Sequence, residues 1–120
     1  MGPVNWVAVV AAALAALAFG AVWHGPSARR PAQVLLAGAL LWLTAAMMGH
    51  MFARVGAATL AVKPWLYFMM SGGLALAFVA PALAIGEARA GAPARKVLGG
   101  AAFWIASYLL MGLVFFIFKA

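Results

Sequence analysis

The sequence predicts an all-α fold: an integral membrane four-helix bundle of two antiparallel helical hairpins, in a single transmembrane domain covering residues 1–120. Four apolar blocks contain no charged residue, and each matches the ~20 helical residues that cross the hydrocarbon core of a bilayer. The chain is 69% hydrophobic and 8% charged, whereas about a quarter of the residues of a soluble domain are charged. The connections between the blocks are too short to form a soluble domain.

The first two predicted helices cover residues 4–23 and 32–53. The first ends before Gly25 and Pro26, because a Gly-Pro pair does not continue a helix. No Lys or Arg precedes the first helix, so it lacks the basic start of a secretory signal, and we interpret it as a retained span.

The last two predicted helices cover residues 64–86 and 97–118. The third begins at Pro64, because a residue of the first turn needs no intrahelical partner for its N–H. Pro81 removes one backbone hydrogen bond near the end of this helix, so we expect a kink in its last turn and a half.

The basic residues of the loops predict an orientation. We name the side of the membrane that carries the N-terminus side A and the opposite side, side B. Side B collects five basic residues, Arg29, Arg30, Arg89, Arg95 and Lys96, and side A three, Arg54, Lys63 and Lys119. By the positive-inside rule, side B is cytoplasmic and both termini are periplasmic. The expected location is a bacterial inner membrane.

The net charge of +7 does not indicate nucleic-acid binding, because the basic residues are dispersed over short loops and form no contiguous stripe. Contact with the anionic head groups of the lipid bilayer explains them better. Aromatic residues near the span ends, Trp6, Trp23, Trp65 and Tyr67, are typical of interfacial belts.

Small residues recur at four-residue spacing and predict where helices approach closely: Ala12, Ala16 and Gly20; Ala45 and Gly49; Gly73 and Ala77; Ala102 and Ala106. In lipid such stripes favour close backbone contact. We therefore expect Gly49 and Gly73 to lie at helix contacts that tolerate no added side chain.

Few side chains are suited to catalysis. There is one carboxylate, Glu87, and there is no Asp or Cys, so no acid–base pair, carboxylate dyad or nucleophilic triad can form. We expect Glu87 to be a solvated loop acid paired with arginines at the side B surface, where such pairs contribute little. No catalytic residue and no cofactor are predicted.

His50 is the exception among the span residues, because a polar side chain inside a membrane is a functional candidate. Helical spacing places Met47 and Met51 on its face, and Met69 and Met70 begin the third helix on the same side. Thioether and imidazole ligands suit Cu(I). The structural alternative is that the methionines fill irregular packing and that His50 bonds a neighbouring helix. Haem ligation by both histidines of one chain is excluded, since His24 lies at the opposite membrane side.

The order of landmarks resembles domain-of-unknown-function family 1761, small four-helix bacterial membrane proteins. The resemblance rests on Asn5-Trp6, an Ala-rich helix that ends in residues 19–23, a late His in the second helix, a Pro in the third, and a fourth helix containing Gly and Tyr. It covers nearly the whole chain. Family members usually carry Tyr at the position of His24 and a longer first loop. The resemblance implies fold and membrane location and carries over no catalytic residue.

The sequence favours a noncatalytic membrane protein, a structural or accessory subunit of a homo-oligomer or of a larger membrane complex. The alternative is a membrane protein that binds Cu(I) or a small ligand through His50 and the nearby methionines. A lipid- or quinone-associated factor has the same sequence signature as the first hypothesis.

Overall fold

A computed structural model describes residues 3–25 and 30–118. The described part is all-helical and contains no strand. Four helices in it are long and apolar enough to cross a membrane: Trp6–His24, Pro31–Val55, Leu66–Arg89 and Ala94–Phe118. Their ends agree with the predicted helices to within three residues. Arg29 and Lys119, two of the residues used to predict orientation, lie outside the described residues.

Helix α1 spans Trp6–His24 and α2 spans Pro31–Val55. The Asn5 side chain caps α1, because its Oδ1 atom accepts a hydrogen bond from the Ala8 N–H at 3.2 Å. Gly25 ends α1 with a φ of 78° and Gly56 ends α2 with a φ of 93°, a backbone conformation that glycine adopts without steric cost.

The connection after α2 contains a helix that sequence reasoning missed. Helix α3 spans Ala57–Val62 and buries Leu60. Lys63 and Pro64 then form a turn, closed by hydrogen bonds from the Leu66 N–H to the Lys63 oxygen and from the Tyr67 N–H to the Pro64 oxygen, both 3.1 Å. The connection at side A is therefore a short helix followed by a hydrogen-bonded turn.

The third span is interrupted where a continuous helix was expected. It consists of α4 (Leu66–Met69), α5 (Gly72–Leu74), a π-helical turn (Ala75–Val79) and α6 (Ala80–Arg89). The kink was expected in the last turn and a half, after Pro81, and this location is wrong: Ala80–Arg89 is regular α-helix with Pro81 in its first turn, and the irregular π turn precedes it. A proline supplies no N–H to the preceding turn and its ring crowds the carbonyl there, and a wider π turn relieves that crowding.

The last helix, α7, spans Ala94–Phe118. It packs against α1 on one side and against the third span on the other, whereas α2 packs against α1. The four spans thus follow one another across the molecule in the order second, first, fourth, third. Apart from the contact of the Phe52 ring with Tyr67 at side A, with centroids 5.0 Å apart, α2 and the third span make little contact in the described part.

The order of packing leaves the helices in an open, curved row. The Cα extents of 46 × 29 × 17 Å fit this arrangement, since helix axes in contact are about 8–10 Å apart. Buried side chains concentrate between α1, α2 and α7, among them Val9, Met48, Met111 and Phe115. Tyr67, expected at the interfacial belt, is buried among Phe52 and Phe116 instead.

The small-residue prediction is right for the contact of α1 with α2 and wrong for the third span. A Cβ added at Gly49 would lie 2.6 Å from Val9, so Gly49 marks a close contact of α2 with α1. At Gly73 the nearest atom would be 3.6 Å away, in Met69 of its own span. The close contact belongs to Gly72, which faces Leu109 of α7. The helix is interrupted at Met70 and Ser71, and a regular four-residue count does not include such an interruption.

Candidate functional site

A cleft at the side B end of the row is the best-formed candidate site. It consists of two adjoining cavities of about 320 and 210 Å³ that share His24, Phe103 and Trp104. The larger lies between α6, α7 and the end of α1, and the smaller lies between α1, α2 and α7. We call their union the side B cleft, and its chemically distinctive residues are His24, Gln33, Glu87, Lys96 and Ser107.

Glu87 is not the solvated loop acid that the sequence suggested. It lies inside α6 and is partly buried, and its Oε2 atom is buried with no hydrogen-bond partner. The carboxylate rests against Gly100 of α7, where an added Cβ would lie 3.0 Å from Glu87 Oε1. Glycine at this position therefore makes room for the carboxylate. The sequence prediction failed because helix α6 runs three residues beyond the predicted end of the span.

Lys96 lines the same cavity as Glu87 without satisfying its buried oxygen. An unpaired buried carboxylate oxygen is costly unless a donor reaches it. The larger cavity thus carries both signs of charge on a wall that is otherwise apolar and aromatic.

Ser107 supplies the second unsatisfied group. Its side chain is 1% exposed, lines the smaller cavity, and has no hydrogen-bond partner for its Oγ atom. Ser107 lies seven residues after Gly100 on α7, about 10 Å deeper along the helix axis at 1.5 Å per residue. The cleft therefore has one unsatisfied polar atom near each of its ends.

An aromatic cluster centred on Phe103 separates those two atoms. The His24 ring meets Phe103 edge-on at a centroid distance of 4.6 Å, and Trp23 and Trp104 lie 5.5 and 5.1 Å from it. Phe19 stacks on Phe103 at 5.4 Å. Phe103 is buried, and its ring, with those of His24 and Trp104, belongs to the lining that the two cavities share.

His50, the candidate chosen from the sequence, lies near the side A end. Its ring meets Trp6 of α1 edge-on at 5.7 Å, and Nδ1 lies 2.7 Å from the Ala46 carbonyl oxygen of its own helix. An Nδ1–H donating to that oxygen satisfies one ring nitrogen and leaves Nε2 available.

The methionines named with His50 do not share its surroundings. Met47 and Met51 line a groove that faces the third span, whereas His50 contacts α1. Met69 is 52% exposed, and Met70 packs against the core. Nothing in these contacts tests the Cu(I) hypothesis directly, and it stays a prediction.

The groove next to Met47 and Met51 is the third candidate. It has a volume of about 390 Å³ and is lined from α2 by Met48 and Thr44 as well, and from the other side by Leu74, Phe78, Val79 and Tyr108. The Thr44 hydroxyl donates to the Leu40 carbonyl oxygen of its own helix at 3.2 Å. We call this surface the open groove. It is apolar and flexible, because methionine side chains adapt to varied shapes.

Acid–base and metal chemistry find little support in the described residues. They contain no group of three or more His, Cys, Asp or Glu side chains placed to hold a metal ion. Glu87 has no second carboxylate beside it, since the sequence has only one. The side B cleft is equipped to bind polar groups rather than to transfer protons between two acids.

Three comparisons with known proteins found no matching family model, no matching curated protein and no matching solved structure. The resemblance to domain-of-unknown-function family 1761 therefore stays a prediction.

Sequence reasoning missed Ser107 and Lys96 as site residues, and it treated Glu87 as a surface acid. One signal was present. A lone acid one residue past a predicted span end lies within the usual error of helix boundaries, and the Gly99-Gly100 pair marks a place where a helix surface leaves room for a neighbouring group. Nothing in the sequence alone joins α6 to that part of α7.

Proposed function

We propose that this chain is a noncatalytic multi-pass protein of the bacterial cytoplasmic membrane, built as two antiparallel hairpins, that acts by associating with further copies of itself or as an accessory subunit of a larger membrane complex. The open groove carries the proposal. The groove lies between α2 and the third span, which make little contact with each other.

The antiparallel arrangement is supported by matched contacts along the helices. Trp6, at the start of α1, contacts His50, near the end of α2. Leu17, later in α1, lies nearest to Gly38, earlier in α2. Contacts that run in opposite chain directions are those of a helical hairpin with a short connection.

Several large side chains beside the groove support association. Leu43 is 63% exposed, Met47 60% and Phe78 69%. Apolar side chains exposed to lipid cost little free energy, so their exposure alone does not indicate association. A concave apolar surface between two helices, however, fits a helix from another chain better than it fits disordered acyl chains, because helix association in lipid depends on van der Waals packing.

Cysteine crosslinking tests the association. The chain contains no cysteine, so a Leu43→Cys variant carries one thiol, at the groove. Leu14→Cys is the matched control, since Leu14 is 60% exposed and Leu43 63%, and both lie near the middle of their spans. After the thiol is labelled with a benzophenone maleimide, irradiation of intact membranes should yield a crosslinked protein product from Leu43→Cys only, because benzophenone inserts into C–H bonds of any neighbouring chain, and mass spectrometry identifies the second chain. Equal yields, or no product from either variant, would reject the proposal.

Orientation is tested separately. The proposed periplasmic location of both termini follows from the basic residues of side B, of which Arg30, Arg89, Arg95 and Lys96 are described. Reporter fusions after residue 120 should be active in the periplasm, and activity in the cytoplasm would reverse the assignment of sides.

A further inference from the structure

We infer that the side B cleft is a binding site for a zwitterionic aminophospholipid, a lipid whose head group joins a primary ammonium to a phosphate, as in phosphatidylethanolamine. The inference does not depend on the proposed association, because the cleft lies away from the open groove and within a single chain.

The carboxylate defines the first half of the head group. Glu87 Oε2 is buried and lacks a donor, and a primary ammonium offers three N–H donors to a carboxylate at roughly twice the strength of a neutral hydrogen bond. Rotation about the last torsion of Glu87, which is broad and nearly two-fold, exchanges its two oxygens, so either can face the cavity. A quaternary ammonium has no N–H and cannot satisfy this oxygen.

The basic groups of the same cavity define the second half. Lys96 and His24 both line it, and a lysine ammonium binds phosphate as a point charge. Lys96 is exposed and lies at the cavity edge, where its ammonium can pair with a phosphate, whereas a purely anionic ligand would approach Glu87 unfavourably. A zwitterion complements both, and the cavity of about 320 Å³ is at the lower end of the range of about 300–1,000 Å³ for small-ligand sites.

The smaller cavity accounts for the rest of the lipid. It continues from the head-group cavity along Ala16, Leu17, Gly20 and Leu41, which provide an apolar wall for an acyl chain. Ser107 Oγ, buried in this wall and without a partner, is a donor for a lipid ester oxygen. An ester group lies below the phosphate of a phospholipid, as Ser107 lies about 10 Å deeper than Gly100 along α7. The exposed Trp23 at the cleft entrance suits the interface between head groups and hydrocarbon.

The test is native mass spectrometry of the full-length protein in detergent with an equimolar mixture of phosphatidylethanolamine, phosphatidylcholine and phosphatidylglycerol. One phosphatidylethanolamine per chain should predominate, counted on the monomer so that failure of association does not affect the reading. Glu87→Gln should lower that adduct about tenfold, the size of one charge-assisted hydrogen bond. Arg89→Gln, which changes an exposed charge on the same helix, should leave it unchanged.

Two further variants separate the parts of the site. Lys96→Gln should lower binding of phosphatidylethanolamine, whereas Arg95→Gln, at the exposed neighbouring position, should not. Gly99 lines the larger cavity, so Gly99→Leu adds an apolar side chain at its wall without changing a charge, and we expect it to lower the adduct. Free phosphoethanolamine, added as a competitor, distinguishes recognition of the head group alone from recognition of the whole lipid: displacement of the lipid by millimolar competitor indicates the former, and no displacement the latter.

Equal adducts of all three lipids in the unaltered protein, or an unchanged preference in Glu87→Gln, would overturn the inference. The cleft would then be a crevice filled by whichever lipid surrounds it.

Discussion

The two ends of this molecule differ in whether their polar side chains have hydrogen-bond partners. At side A the described polar atoms have partners: the Asn5 amide donates to the Phe118 carbonyl oxygen at 3.0 Å, and the Ser71 hydroxyl donates to the Tyr67 oxygen at 2.7 Å. Glu87 Oε2 at side B and Ser107 Oγ, in the middle of α7, are buried without any.

Packing follows the same division. Around Gly72 and Gly112 near side A, an added Cβ would overlap side-chain or backbone atoms, whereas near side B it would lie 3.0 Å from Glu87 Oε1 at Gly100 and meet none of the described residues at Gly99. Apolar burial drives little helix association in lipid, so close packing and hydrogen bonds must hold the helices together. Ser71 near side A has its hydrogen bond, and the two unsatisfied atoms are those that the inferred lipid would bind.

The largest expected difference in stability between the two ends is between two glycine-to-alanine substitutions in α7, one nearer each side. Gly112→Ala places a methyl group 2.6 Å from the Tyr67 carbonyl oxygen and against Ser71, and overpacking of this kind costs about 1–3 kcal/mol. Gly99→Ala meets open space. We expect the free energy of unfolding, measured by SDS titration in detergent micelles, to fall for Gly112→Ala relative to Gly99→Ala.

Both substitutions gain a similar helix propensity, about 1 kcal/mol, so their difference isolates the contact. If Gly99→Ala proves as destabilising as Gly112→Ala, the side B end is as closely packed as the side A end.

Two adjacent glycines of the third span give the next effect. Gly72→Ala pushes against the Leu109 side chain, which can move because it is 39% exposed, whereas Gly73→Ala has its nearest neighbour at 3.6 Å. We expect Gly72→Ala to cost about 1 kcal/mol, the lower end for overpacking, and Gly73→Ala to be neutral or stabilising. Adding Leu109→Ala should remove most of the difference between the two variants, and a difference that persists would place the contact elsewhere.

Two serine-to-alanine substitutions should change the free energy of unfolding by smaller amounts and in different directions. Ser71→Ala removes a satisfied hydroxyl and should cost about 0.6 kcal/mol, an average for hydrogen bonds in membrane proteins. Ser107→Ala removes a buried hydroxyl that has no partner, so in lipid-free detergent it should be neutral or stabilising. SDS unfolding of both variants measures this. A loss in Ser107→Ala as large as that in Ser71→Ala would mean that Ser107 is satisfied.

The sequence predicted the spans and missed most of the site, for a physical reason. Span positions depend on local hydropathy, which apolar blocks of about twenty residues record directly. The residues that surround Glu87 depend on which face of α6 meets α7. One irregular turn before α6 changes that face. Ser71, Gly72 and Pro81 were visible as helix-breaking residues, but the π turn between them shows only in the structure.

The open groove was equally hidden. The sequence predicted two hairpins and a bundle, and nothing in it distinguishes a closed bundle from an open row in which α2 and the third span stay apart. His50 drew attention because a histidine inside a span is conspicuous, whereas Ser107 did not, since serine in a helix commonly bonds its own backbone.

Substitution of His50 should have the smallest effect on stability, and it tests directly whether a metal site lies at side A. Its ring contacts Trp6 and its own helix, and Met47 and Met51 face the open groove instead. His50→Ala should therefore cost no more than about 0.5 kcal/mol, the lower end for an aromatic pair. The protein, purified with Cu(I) under reducing conditions, should hold no stoichiometric copper, and neither His50→Ala nor Met47→Leu should change its metal content. Stoichiometric copper lost in both variants would show that the imidazole and the thioether converge on one ion, and would return the functional site to side A.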